Sequence, residues 1–325
     1  METASAAARR VLVTGAAGYI GRQLVRRLAT DPAVEIIVAS DLRPSTSDDG
    51  GKMVVDVRDI RDPALAEVML SYRIDSVIHL ASVVTPPPGM PRQEIYSIDV
   101  GGTQNVLEGC SRAGVRRLIV SSSGAAYGYH ADNPDWIDET APLRGNESFA
   151  YSHHKRIIEE LLARYRDQHP ELVQIVFRFC TILGREVNNQ ISALFEGKVV
   201  LGVSGSLAPF VFIWDEDVVE VLRLALWREQ SGIYNVAGDG ALTLPEIARK
   251  VGKPYVPLPR WLLIGALAVL HRLGLSRYGP EQVDFLAFRP VLSNRRLKEE
   301  FGYVPRYSST EAFERYWATR QSRGT

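Results

Sequence analysis

The chain has only two cysteines, Cys110 and Cys180, in 325 residues. They stand far apart, in no metal-ligand spacing and no disulfide framework, and suit free buried thiols in a reducing cytosol. No metal is expected. Lysine is scarce too: the 38 basic residues are mostly arginine, with lysine only at Lys52, Lys155, Lys198, Lys250, Lys253 and Lys298. The 38 acidic residues cancel the basic ones, so the formal net charge is zero. A dedicated nucleic-acid binder needs a basic face to displace counterions from phosphates, so that class is excluded. No apolar run is long. Trp261–Leu270 falls well short of the roughly 20 residues of a bilayer-spanning helix. Met1–Arg10 is Ala/Ser-rich and lacks the apolar core of a secretory signal. The expectation is a cytoplasmic chain without a membrane span. Its 46% apolar and 23% charged fractions are those of a globular protein.

What is present is a rhythm. Short apolar runs at Val11–Val13, Glu35–Ser40, Met53–Asp56, Ser76–Leu80, Arg117–Ser121 and Val173–Phe177 read as strands. Amphipathic stretches at Ile20–Ala29, Ala64–Tyr72, Val100–Ala113 and Tyr151–Arg166 read as helices. Strands separated by helices of this length predict βαβ units and an α/β, Rossmann-type, doubly wound parallel sheet. After Cys180 the rhythm degrades. A strand at Phe210–Trp214, a helix at Val218–Trp227 and a strand at Gly232–Val236 are expected. Beyond them come a helix at Leu244–Val251, the apolar stretch Pro257–Leu275, and helices around Asn294–Glu300 and Ser309–Arg320. The chain divides into a dinucleotide-binding domain, 1–180, and a smaller C-terminal α/β substrate lobe, 181–325, with 210–237 returning to the sheet.

Thr14-Gly15-Ala16-Ala17-Gly18-Tyr19-Ile20-Gly21 leaves the first strand and opens the first helix. Gly15 suits the tight turn, Gly18 the approach of a pyrophosphate, and Gly21 close helix–strand packing. The helix N-terminus adds unpaired N–H groups and partial positive charge. Asp41 ends the second strand, 20 residues after Gly21, where a carboxylate accepts from the adenosine ribose hydroxyls. It repels a 2′-phosphate, which points to NAD over NADP; Arg43 pulls the other way. Asp56 and Val57 end the third strand, either against the adenine ring or as a plain strand end.

Tyr151-Ser152-His153-His154-Lys155 contains the chain's one Tyr-x-x-x-Lys pair. At i,i+4 the two share a helix face. An ammonium one turn from a phenol lowers its pKa and makes it a usable base. Ser121-Ser122-Ser123 ends the fifth strand, where open parallel sheets bind ligands. Ser123 could hydrogen-bond the oxygen that Tyr151 deprotonates.

With these motifs the sequence resembles the extended short-chain dehydrogenase/reductase family, in its NAD-dependent epimerase/dehydratase branch. The likeness also rests on Val77-Ile78-His79-Leu80-Ala81, Gly102-Thr103, Val120–Gly128, Phe210–Val218 and Tyr234–Gly238. The resemblance implies NAD as cofactor, held by the glycine loop, Tyr19, Ile20, Asp41, Arg43, Asp56, Val57, Leu80, Ala81, Ser82, Tyr151 and Lys155. It implies Tyr151 as acid/base, Lys155 on the nicotinamide ribose, Ser123 orienting the substrate oxygen, and a homodimer. His79 reads as structural or as lining the cofactor site.

The departures from the family narrow the chemistry. Gly124 and Ala125 stand where 4,6-dehydratases carry an Asp-Glu pair and decarboxylases keep a Glu. Oxidation/reduction or epimerisation remains. Thr181 stands where 4-epimerases usually carry a sugar-nucleotide-contacting Asn, and Asp99 where an Asn is usual. Arg185 is the nearest downstream cation for a diphosphate; Arg295 and Arg296 suit a solvated helix face better. The leading reading is an enzyme of the sugar-nucleotide 4-epimerase type. The alternatives are a dehydrogenase of a lipophilic alcohol, suggested by Trp261–Leu270, and a catalytically idle NAD-binding regulator. Trp261–Leu270 suits an amphipathic core or dimer helix better.

Overall fold

The computed structural model describes residues 8–45, 51–87, 89–187, 190–207, 209–276 and 279–322. The first part of the Met1–Arg10 segment and the cation Arg277 lie outside the described residues. The first half runs β1 (Arg9–Thr14), α1 (Tyr19–Ala29), β2 (Val34–Asp41), β3 (Met53–Val57), α2 (Leu65–Ser71) and β4 (Ser76–His79). It continues through α3 (Arg92–Tyr96), α4 (Gly102–Ala113), β5 (Arg117–Ser123), α5 (Ala150–Gln168) and β6 (Val173–Phe179). The second half runs β7 (Thr181–Leu183), α6 (Gln190–Glu196), β8 (Val200–Val203), β9 (Phe212–Trp214), α7 (Asp215–Ala225) and β10 (Gly232–Val236). It ends with α8 (Leu244–Lys250), β11 (Tyr255–Leu258), α9 (Arg260–Arg272), α10 (Gln282–Ala287), α11 (Arg295–Glu299) and α12 (Ser309–Gln321).

Seven strands form one sheet in the order β3-β2-β1-β4-β5-β6-β10. Every pairing in it is parallel. The order reverses between β1 and β4, which opens a crevice at the C-terminal strand ends. Strand interiors such as Val11, Leu12 and Val13, or Leu118, Ile119 and Val120, are buried on both faces, as a doubly covered parallel sheet requires. Helix α1 turns Gly21, Leu24, Val25 and Leu28 inward, the i, i+3, i+4, i+7 stripe of an amphipathic helix. Helix α4 stops at Gly114, whose φ of 66° suits a residue without Cβ. It begins later than the sequence suggests, because a π-helical turn, Ser97–Gly101, precedes it. Asp99 lies in that turn and is buried.

Beyond β6 the chain departs from the expected regularity. Gly232–Val236 joins the main sheet beside β6. Phe212–Trp214 instead pairs with Thr181–Leu183 in a separate two-stranded sheet. Phe210 precedes that strand and forms an isolated bridge to Leu242. Helix α7 packs its Val218, Val221 and Leu222 into the same core as α1 and the sheet. The segment Pro257–Leu275 divides into the end of β11 and helix α9, and α9 has no buried residue. It is therefore not a core helix.

Candidate functional site

A cleft of about 370 Å³ runs across the C-terminal strand ends, from the glycine turn to Arg289. A hollow of about 440 Å³ at the opposite strand ends, beside Arg117 and Cys110, contains none of the candidate catalytic, cofactor or substrate residues. The cleft brings together Gly15, Gly18, Tyr19, Ile20, Gly21, Leu80, Ser82, Ser123, Tyr151 and Thr181.

The glycine turn is tight. Gly15 has φ +69°, and a Cβ there would come within 2.7 Å of the Ala81 nitrogen. A Cβ on Gly21 would overlap the Gly15 carbonyl oxygen. Asp41, at the end of β2, accepts from the Ala17 N–H at 3.1 Å and from the Arg43 N–H at 3.1 Å. Asp56 accepts from Ser40 Oγ at 2.8 Å and pairs with Arg58 at 3.1 Å, while Val57 is exposed. The Tyr19 hydroxyl donates to Asp215 at 2.5 Å, which ties the start of α1 to α7.

At the centre, Ser123 Oγ accepts from the Ala125 N–H at 3.1 Å and hydrogen-bonds the Tyr151 hydroxyl. Lys155 is buried; its Nζ donates to the Ser121 carbonyl at 2.9 Å and lies 5.6 Å from the centre of the Tyr151 ring. The pKa of the Tyr151 phenol is not lowered, contrary to what its spacing from Lys155 led us to expect. Burial pushes its phenol up to about 12, the Ser123 bond opposes this, and the Asp99 charge adds to the rise. Burial also lowers the Lys155 pKa, against the pull of Asp99 and Glu159. The i,i+4 spacing puts the pair on one face, but the ammonium is engaged by a strand-end carbonyl.

Asp99 has a larger part than its family position suggested. It accepts from the Val83 N–H at 2.8 Å and from Ser82 Oγ at 3.2 Å, and meets His154 Nδ1 at 3.0 Å. His79 is buried between Thr14 Oγ1 at 2.8 Å and Thr103 Oγ1 at 3.1 Å. Burial, helped by the Lys155 charge, pushes its pKa down to about 3, so it stays neutral and structural. Ser122, facing away from Ser123, donates to Glu159 at 2.5 Å, and Glu159 pairs with buried Arg178 at 2.7 Å.

The far end of the cleft is built from segments distant in sequence. Arg289 follows α10, donates to Thr181 Oγ1 at 3.1 Å, and sits over the rings of Phe210 and Phe285, 4.2 and 4.3 Å from their centres. Its Nη1 is buried without a hydrogen-bond partner among the described residues. Burial pushes its pKa down to about 10. Sequence reasoning did not single out Arg289. Its one local signal is an arginine between Phe288 and Pro290 in an otherwise apolar stretch. Arg185 is exposed and outside the cleft lining. Arg296 pairs with Glu300 on a partly exposed helix face. Cys110 is buried, whereas Cys180 is half-buried and lines the cleft. Among the described residues no cluster could hold a metal ion, and no helix is long and apolar enough to cross a membrane.

The profile of the NAD dependent epimerase/dehydratase family matches residues 11–237. An uncharacterized protein of Mycobacterium tuberculosis is 26% identical over 317 residues, spanning 95% of this chain and 84% of the relative. The UDP-glucuronic acid decarboxylase 6 of Arabidopsis thaliana is 30% identical over 74% of this chain and 73% of its own length. The solved UDP-glucose 4-epimerase of Thermotoga maritima, with UDP-glucose, superposes with a TM-score of 0.74 at 19% identity, covering 97% of this chain and 100% of that one. The chain belongs to the NAD dependent epimerase/dehydratase family, an enzyme of the extended short-chain dehydrogenase/reductase type with NAD as its cofactor.

Proposed function

We propose that this enzyme oxidises and re-reduces one hydroxyl carbon of a nucleotide sugar, with epimerisation as the net reaction. The observation that carries the substrate class is Arg289, a buried cation in the cleft with a free donor nitrogen. A buried charge without an anion is costly, and a diphosphate would complete it.

The residues present suit NAD. The first turn of α1 offers N–H groups to a pyrophosphate, and a side chain at Gly15 or Gly21 would run into the backbone of that turn or of Ala81. Asp41 stands at the strand end where ribose hydroxyls are read. Leu80, Ser82 and Tyr151 line the same cleft, and buried Lys155 donates to the carbonyl of Ser121, which lines it too. NAD held there would supply the acceptor, and then the donor, of the hydride. Tyr151 takes the proton of the substrate hydroxyl and gives it back in the reverse step. Ser123 holds that oxygen against Tyr151, and Lys155 fixes positive charge behind the pair. Proton and hydride leave and return, so atoms and electrons balance, and inversion needs only that the substrate turn over in between.

Elimination and decarboxylation are not favoured. They would call on an acid or base at Gly124 or Ala125, and a Cβ on Gly124 would already stand 3.0 Å from the Leu292 methyls. A second reading, a dehydrogenase of a lipophilic alcohol, is favoured by the ring cluster of Tyr129, Phe149 and Phe285, with centres 5.1–5.8 Å apart.

Titration calorimetry with UDP-, GDP- and dTDP-sugars tests the substrate class, and retention of NAD through gel filtration tests the recycling. Binding of at least one nucleotide sugar with NAD retained is expected. No binding of any, with NADH formed from a steroid or terpenoid alcohol, overturns the proposal for the second reading.

A further inference from the structure

Helix α9 has apolar side chains all round but, among the described residues, protein on one side only. Leu263, Ile264 and Leu267 pack against Val203, Val283 and Ala287. The rest of the helix faces outward. Trp261 is 74% exposed, Val269 58%, and Leu273 and Leu275, just past the helix, 65% and 73%. Leu262, Ala266, Val269 and Leu273 follow at i, i+4, i+7 and i+11, a single outward stripe. A helix that is hydrophobic all round is normally covered on every side. An exposed apolar strip of this kind marks an interaction surface.

Charge says what covers it. From Lys253 to Pro280 the sequence contains no Asp or Glu, although the chain has 38 of them. The same stretch carries Lys253, Arg260, Arg272 and Arg277. Arg260 pairs with Asp284, and Lys253 donates to the Phe195 carbonyl and lies over the Trp317 ring, while Arg272 is exposed and has no ion pair among the described residues. An exposed tryptophan at one end and an arginine without an ion pair at the other suit the boundary between acyl chains and anionic headgroups. A second copy of the chain fits less well. A 13-residue helix is about 20 Å long, so one face offers about 200 Å², against roughly 800 Å² per partner in a stable dimer.

We propose that the outward face of α9 docks on an anionic lipid bilayer, lying in its surface without crossing it. Through Leu263, Ile264 and Leu267, α9 rests against α10, which carries Phe285 of the cleft. Docking therefore places that wall of the cleft next to the membrane.

Co-sedimentation of the full chain with vesicles of phosphatidylglycerol and phosphatidylcholine tests this, with phosphatidylcholine alone as control. Binding to the anionic vesicles that weakens with salt is expected. The double variant Val269→Glu, Leu273→Glu should lose at least about tenfold in vesicle affinity while NAD binding and helical content stay unchanged. Brominated lipid should quench tryptophan emission in the parent and less so in Trp261→Phe. No binding to anionic vesicles overturns the proposal, as does binding that the double variant leaves intact. A double variant that turns a dimer into a monomer, with no vesicle binding in either form, assigns the face to a second copy instead.

Discussion

The two ends of the cleft are built differently. At the cofactor end, Gly15, Asp41 and Ser123 sit at or just past the C-terminal tips of β1, β2 and β5, and the polar groups there already hydrogen-bond the protein. Asp41 holds the Ala17 N–H, Ser123 the Ala125 N–H, and Lys155 the Ser121 carbonyl. At the substrate end, Arg289 and Thr181 meet across 108 residues of sequence, and Arg289 keeps one nitrogen without a partner. In the proposed function, regular structure fixes the end that would do the chemistry, and side chains from short and irregular segments shape the end that would choose the substrate, one of them left charged and incomplete.

If that division is right, the largest effects come from the centre and the cofactor end. Tyr151→Phe removes the phenol that hydrogen-bonds Ser123 and should lower turnover by about 10²–10⁴-fold. NAD affinity, followed by fluorescence titration, should hardly change. Retained turnover would reassign the acid/base. Gly15→Ala comes next. It forces a Cβ into a left-handed turn and against the Ala81 backbone, at a cost of roughly 1–3 kcal/mol in urea unfolding. NAD affinity should fall with it. Unchanged stability and NAD binding would show that the turn can open.

Arg289→Met tests the other end. Losing a charged donor should raise KM for a nucleotide sugar roughly tenfold to a hundredfold. Stability should hold, because an unpaired buried cation is replaced by an apolar side chain of similar reach. NAD affinity should not move. A parallel loss of NAD binding would erase the contrast between the two ends.

The same contrast explains what the sequence revealed. Gly15-x-x-Gly18-x-x-Gly21, Ser123 and Tyr151-x-x-x-Lys155 lie at strand tips or within one helical turn, so local spacing places them. Strand β10 was legible as a strand because its residues carry the pattern of a buried pairing. Arg289 has no such periodicity. Only tertiary packing brings it between Phe210 and Phe285 and up to Thr181. Strand β9 was visible as an apolar run, but an apolar run does not name its partner strand, and it pairs with β7. Asp99 was visible as a departure from the family, yet its bonds to Val83, Ser82 and His154 depend on a π-helical turn that spacing rules do not predict.

Asp99 gives the smallest effect, one that reaches both Tyr151 and Lys155. Its charge raises the Tyr151 phenol and supports the Lys155 ammonium. Asp99→Asn keeps an oxygen to accept from the Val83 N–H but removes the charge. With the charge gone, the phenolate is less disfavoured and the Tyr151 pKa falls; the Lys155 pKa falls as well. Alcohol oxidation uses the phenolate, so its rate climbs with pH until Tyr151 is ionised. In Asp99→Asn that rising limb should therefore move to lower pH. The pH profile of kcat/KM in the oxidative direction reads this. A shift to higher pH would mean that Asp99 acts on Tyr151 chiefly by holding Lys155 charged, and not through its own field at the phenol.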